Sequence, residues 1–312
     1  MKGMAALPVV LAGLIWATPA ARADEYRLDV RSVAPDTYAV IGATEDFDST
    51  NGGNVVNCAF VVTAAGVLVV DTGPTARYGA ALRRAIRSIT PLPVVRVLNT
   101  HHHPDHILGN QAFADVGIES AEASIAAQVR EGPAFLDNMY RLVLQWAAGT
   151  ELHPATRAAV AGPFELGGHR FELHLLSGHT GADLALLDVT TGVLFAGDLV
   201  FHGRAPTMPH ADADAWLASL DRLANLPATT LVPGHGDVTR PASVIAATSD
   251  YVRWLRDHLE AAAAAGLDLT DVLAQTPPDR FRPLAVIDAE YRRAVLQWYP
   301  AIERRHLYRP RP

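Results

Sequence analysis

The chain has 312 residues, of which 49% are hydrophobic and 19% charged, enough apolar material for a sizeable core. Its net charge of −7 argues against nucleic acid or anionic lipid as a partner, because such binders carry a basic surface. Cys58 is the single cysteine, which excludes an internal disulfide and a disulfide-built scaffold.

In chain order, the first segment reads as a leader. Lys2 supplies a positive start, 5–17 is an apolar run, and Ala21-Arg22-Ala23 has the small-x-small form of a signal-peptidase site. A signal peptide over 1–23 is expected, cut before Asp24. The run is too short to span a bilayer, so no stable membrane anchor is expected afterwards. Cleavage would remove Lys2 and Arg22 and no acid, taking the charge from −7 to −9. The rest, 24–312, reads as one domain with a helical C-terminal extension from about residue 241.

Two short β segments are predicted within 27–40, split at Ala34-Pro35-Asp36. A polar loop follows over 42–54. Strands at 55–62 and 67–70 are joined by Ala64-Ala65-Gly66, and helical periodicity runs over 75–89. A strand at 94–98 leads into a histidine cluster. Helix is predicted over 121–148 with a break near Gly132-Pro133, then strands at 171–176, 184–189 and 193–195, helix over 212–226, strand at 229–232, and helices over 241–265 and 291–304. Strand pairs flanked by helices, repeated in two halves, predict an α/β protein with four layers, αββα, in which two mixed β-sheets face each other.

The chemistry concentrates in His101-His102-His103-Pro104-Asp105-His106, directly after an apolar strand. Imidazole and carboxylate suit zinc and related transition metals. In an extended segment, residues 101 and 103 point the same way. Asp105 and His106 follow the turn imposed by Pro104, where they can address a second metal. A histidine-rich tract alone can be a solvated surface loop. Three later features argue otherwise: His179 in Ser-Gly-His-Thr after a strand, Asp198 in Phe-Ala-Gly-Asp after a strand, and His235 between Gly234 and Gly236.

This set, His-x-His-x-Asp-His followed by Gly-His, Asp and a late His, resembles the metallo-β-lactamase superfamily over 55–236. The resemblance implies that His101, His103 and His179 bind a first metal, that Asp105, His106 and His235 bind a second, and that Asp198 bridges them. It also implies that Asp71 braces the histidine loop from behind. The cofactor implied is two Zn(2+), with iron or manganese as alternatives. Two metals sharing a water lower its pKa from ~15.7 toward ~7, giving a hydroxide nucleophile at neutral pH. Asp105 is the candidate catalytic residue, to orient that hydroxide. His102 fills an x position and reads as a neighbour. His202 and His210 flank a loop where they could line a pocket, and Arg204 is a candidate for meeting a substrate carboxylate.

Many lactamases of the superfamily place Cys where this chain has Asp198, and Asp there is similar to thioesterase-type members such as glyoxalase II. The block from Tyr26 to Asp71, with Asn51-Gly-Gly-Asn-Val-Val-Asn-Cys-Ala-Phe60, and the helical C-terminus are similar to exported quinoprotein relay system zinc metallohydrolases. That resemblance implies a periplasmic hydrolase of a small thioester or ester, working beside quinoprotein dehydrogenases. A β-lactamase and a mononuclear iron persulfide dioxygenase-like oxidoreductase stay open as alternatives. The partner expected is a small-molecule substrate and not nucleic acid.

Overall fold

The computed structural model describes residues 25–307. The expected signal peptide lies outside them. A seven-stranded sheet holds β1 (Asp29–Ala34), β2 (Thr37–Ile41), β3 (Cys58–Thr63), β4 (Gly66–Val70), β5 (Val94–Leu98), β6 (Ile118–Ser120) and β7 (Arg157–Ala158) in that order. A five-stranded sheet runs β12 (Thr230–His235), β11 (Val193–Phe201), β10 (Asp183–Asp188), β9 (His169–Leu176) and β8 (Gly162–Leu166). Each sheet is antiparallel at its start and parallel at its end. β4 pairs parallel with β5 after a crossover through α1 (Ala76–Ile89), and β11 pairs parallel with β12 after a crossover through α4 (Ala213–Ala224).

The central strands β3, β4, β10 and β11 are buried on both faces, so they are largely apolar runs divided by the period of two. In β4, Val67 and Val69 pack under α1 and α3 (Glu122–Val143), while Leu68 and Val70 face the opposite sheet. In β10, Leu184 and Leu186 face the first sheet, while Ala185 and Leu187 pack under α4, α5 (Pro241–Ala264) and α7 (Ile287–Leu307). Three apolar layers therefore separate four layers of structure, αββα, as the alternation of segments predicts. α6 (Leu269–Leu273) joins α5 to α7. No helix among the described residues is long and apolar enough to cross a membrane.

Three local expectations fail for physical reasons. Pro133 does not break α3: it is exposed, on a face where water can satisfy the carbonyl that a proline leaves free. Residues 55–57 are buried but not a strand, because the Asn57 side chain takes over the local hydrogen bonds, accepting from Gly42 N–H and donating to the Pro233 and Gly236 carbonyls. β11 does not stop at residue 195 but runs through Asp198 to Phe201, with its register against β12 shifting on both sides of Gly197. That irregularity re-aims the strand at Asp198, the usual effect of a bulge beside a functional site.

Candidate metal centre

The strand ends supply the site, mostly at the carboxyl edges of the parallel pairs, with one ligand after the antiparallel β9. Asp71 follows β4, His101 and His103 follow β5, and Asp105 and His106 lie in α2 (Pro104–Ile107), a single turn with Pro104 at its start. His179 follows β9, Asp198 lies within β11, and His235 closes β12. All seven predicted ligand residues come together, and all are at least nine-tenths buried. Glycine makes this convergence possible at two turns. A Cβ on Gly234 would sit 1.9 Å from Asp198 Oδ1, and one on Gly178, whose φ is +134°, would lie 2.1 Å from the Trp216 backbone.

Asp198 is the centre of the cluster. Its oxygens lie 3.1 Å from His106 Nε2, 3.3 Å from His179 Nε2, 3.3 Å from His235 Nε2 and 3.9 Å from His101 Nε2. On one side, His103 Nδ1 is 3.0 Å from His179 Nε2. On the other, Asp105 Oδ2 is 3.3 Å from His235 Nε2 and 3.6 Å from His106 Nε2. Two compact groups result, His101–His103–His179 and Asp105–His106–His235, joined by one carboxylate.

These residues fit a metal. The buried His101 Nε2, His106 Nε2 and Asp198 Oδ1 have no hydrogen-bond partner, a costly condition unless a cation satisfies them. His106 Nε2 and Asp198 Oδ1 face each other at 3.1 Å without hydrogen-bond geometry. A tetrahedral zinc with bonds of ~2.0–2.1 Å spaces its ligand atoms by ~3.3 Å, close to the separations found here. The cluster supports a divalent metal cofactor.

The far ring nitrogens of His106 and His235 are held by other groups, as is usual for metal-binding histidines, while His179 Nδ1 is buried without a hydrogen-bond partner. His106 Nδ1 donates to Asp71 Oδ2 at 2.8 Å, and His235 Nδ1 donates to the Val55 carbonyl at 2.6 Å. Asp71 also accepts from the Thr100 N–H and hydroxyl, each at 2.8 Å, so the expected brace of the histidine loop is present. Its φ of 60° turns the carboxylate back beneath the loop, a strained conformation of the kind found at functional sites.

Charge divides the two groups. Burial, helped by neighbouring histidines, holds His101 and His103 well below the ordinary imidazole value, and burial takes His179 down to about 3. Burial acts the same way on His106 and His235, but Asp198 and Asp105 outweigh it and hold both above the ordinary value. Burial would raise the Asp198 carboxyl, yet His235, His106 and His179 hold it well below the usual range.

The neighbours sort themselves. His102 stays outside the cluster, with Nε2 3.3 Å from Glu131 Oε2. His210 reaches His103, while His202 turns away to the Asp237 carbonyl. Arg204 does not face a substrate. It is 3% exposed and held by Thr207 and Glu290, fastening the loop after β11 to α7. Sequence reasoning missed Asn57, Glu131 and the Val55 carbonyl, which carry no motif of their own.

The sequence profile of the Metallo-beta-lactamase superfamily matches residues 51–235, more than half of the chain, and the chain belongs to that superfamily. Among individual proteins, it is 26% identical over 220 residues to an acyl-coenzyme A thioesterase, MBLAC2, of Gallus gallus, covering 64% of this chain and 79% of that one. It is 31% identical over 141 residues to a hydroxyacylglutathione hydrolase of Pseudomonas savastanoi pv. phaseolicola, covering 44% of this chain and 45% of the relative. A linear primary-alkylsulfatase of a Pseudomonas species is 24% identical over 235 residues, 62% of this chain. This chain spans 43% of the alkylsulfatase's length, less than half. The fold is also that of a metallo-β-lactamase from Pontibacter korlensis, with a TM-score of 0.59 at 20% identity, over 73% of this chain and 99% of that structure.

Proposed function

We propose that the chain is a zinc-dependent hydrolase with a two-metal centre, acting on a small thioester or ester. The observation that carries this reading is the position of Asp198, whose carboxylate touches histidines of both groups. His101, His103 and His179 would hold one ion and Asp105, His106 and His235 the other. Metal ions bound there supply a hydroxide nucleophile at neutral pH and Lewis acidity toward the attacked oxygen. Asp105 is buried beside His106 and His235, which outweigh burial and keep its carboxylate ionised. It is placed to accept a hydrogen bond from the attacking water and orient it. Asp71, Thr100 and the Val55 carbonyl keep His106 and His235 in position. A thioester is favoured as substrate because the chain is similar to relatives named as an acyl-coenzyme A thioesterase and a hydroxyacylglutathione hydrolase.

The leader-like sequence of 1–23 supports a periplasmic setting, and the similarity of the Tyr26–Asp71 block to quinoprotein relay hydrolases supports work beside quinoprotein dehydrogenases. Elemental analysis of the purified mature chain, beside Asp198→Ala, tests the reading. It expects about two zinc per chain, loss of zinc in the variant, and thioester hydrolysis reduced by more than about 10²-fold. One iron per chain would replace it with dioxygen chemistry, and rapid turnover of nitrocefin with no thioesterase activity would replace it with a lactamase.

A further inference from the structure

Resting on the metal reading above, we propose that Glu131 and His210 are positioning residues that brace His103 and fix which of its ring nitrogens is free to bind. His103 presents Nδ1 to the cluster, 3.0 Å from His179 Nε2. Its other nitrogen, Nε2, lies 2.9 Å from His210 Nδ1. His210 Nε2 in turn lies 3.1 Å from Glu131 Oε2. The chain of contacts joins three separate elements: the loop after β5, the loop after β11, and the middle of α3.

The protons in this chain can be placed in one consistent way. A neutral imidazole has one N–H and one bare nitrogen, and a carboxylate only accepts. The Glu131 carboxylate, in ion-pair contact with His210 Nε2, favours the proton of His210 on that nitrogen. His210 Nδ1 is then bare and accepts from His103 Nε2–H, which leaves His103 Nδ1 bare toward the cluster. The opposite tautomers would set the His210 Nε2 lone pair against the carboxylate and aim an N–H of His103 at the metal position. Glu131 is itself held in place. Its Oε1 meets Arg130 at 2.5 Å, leaving Oε2 for His210 and for His102 Nε2 at 3.3 Å. Phe135 covers the assembly, its ring 5.9 Å from that of His102, 6.2 Å from His103 and 6.3 Å from His210.

His106 and His235 each use a single acceptor directly, the Asp71 carboxylate and the Val55 carbonyl. His103 depends on a side chain that another side chain orients, as His101 does through the Thr100 hydroxyl held by Asp71. The cavity beside it, about 290 Å³ and lined by His102, Arg130, Glu131 and His210, leaves Glu131 and His210 reachable by solvent. Substitution there need not disturb the core.

The test loads the mature chain with zinc and titrates it against a competing chelator, for the wild type, Glu131→Ala, His210→Ala and His210→Asn. Long-range ¹⁵N–¹H spectra of the histidines are recorded in parallel, and thermal unfolding of each variant confirms its fold. Removing an outer partner of a ligating histidine weakens metal binding by ~10–100-fold. That loss is expected for one of the two ions in Glu131→Ala and His210→Ala, with the other ion unaffected. His210→Asn should recover part of it, because an amide oxygen can accept where Nδ1 did. Recorded on the metal-free chain, where no ion fixes the ring, the spectra should show a single Nε2–H tautomer of His103 in the wild type and a mixture in His210→Ala. Unchanged affinities with an unchanged tautomer would overturn the brace. So would loss of a third zinc equivalent with the first two intact, which would make His102, Glu131 and His210 a cation site instead. If the wild type binds no metal, the proposed function fails separately, and the tautomer spectra still decide for or against the brace.

Discussion

The two ligand groups around Asp198 are built from similar residues yet differ in charge. Around His101, His103 and His179, burial outweighs the nearby Asp198 carboxylate, so protonation is costly and their nitrogens are ready donors. Asp198 raises both His106 and His235, and Asp105 beside both and Asp71 beside His106 add to it, so those two imidazoles favour a proton in spite of burial. A metal entering the first group meets bare nitrogens. A metal entering the second must displace protons, because ligands bind only when deprotonated. The two groups, each drawing on both halves of the fold, are thus unequal through two extra carboxylates, and the second position should be the more responsive to conditions.

The sharpest test of this contrast is a pair of variants. His179→Ala should empty the first position and His235→Ala the second, each lowering hydrolysis by more than about 10²-fold. Metal analysis should find one ion retained in each, and the one kept by His235→Ala should be held the more tightly. Equal retention would dissolve the contrast.

Asp71→Asn comes next. It preserves shape but removes the charge that orients and polarises His106. Affinity at the second position should fall by ~10–100-fold, read by chelator competition, with the first position unchanged.

The mildest perturbation is pH. His106 and His235 hold protons above the ordinary imidazole value, so lowering the pH adds a competitor at the second position only. Below those raised values its apparent affinity should drop by about tenfold per pH unit for each proton displaced. The first position, whose histidines stay neutral to lower pH, should hold its ion through the same range. Calorimetry in buffers of different ionisation enthalpy should show proton release mainly with the second ion.

Much of this site was legible beforehand. Four candidate ligands crowd into 101–106, and His179 and His235 each follow a glycine, because a ligand at a strand end needs a tight turn behind it. The brace at Asp71 was legible through the same family pattern. Strand 94–98 and the helix read at 75–89 followed from apolar patterning, which acts over a few residues. Asn57 and Glu131 were not legible. Asn57 looked like one polar residue in an apolar block, and Glu131 like a solvated charge on a helix. Their partners lie 176 residues away at Pro233 and 79 away at His210, and local sequence carries no trace of such pairings.

The sequence by itself determined the αββα layering and the seven residues of the cluster, because apolar alternation and dense histidine spacing are local signals. Tertiary structure alone decided which nitrogens turn inward, which histidines hold protons and which side chains brace them. Those properties depend on distances and burial created only when the two sheets close on each other.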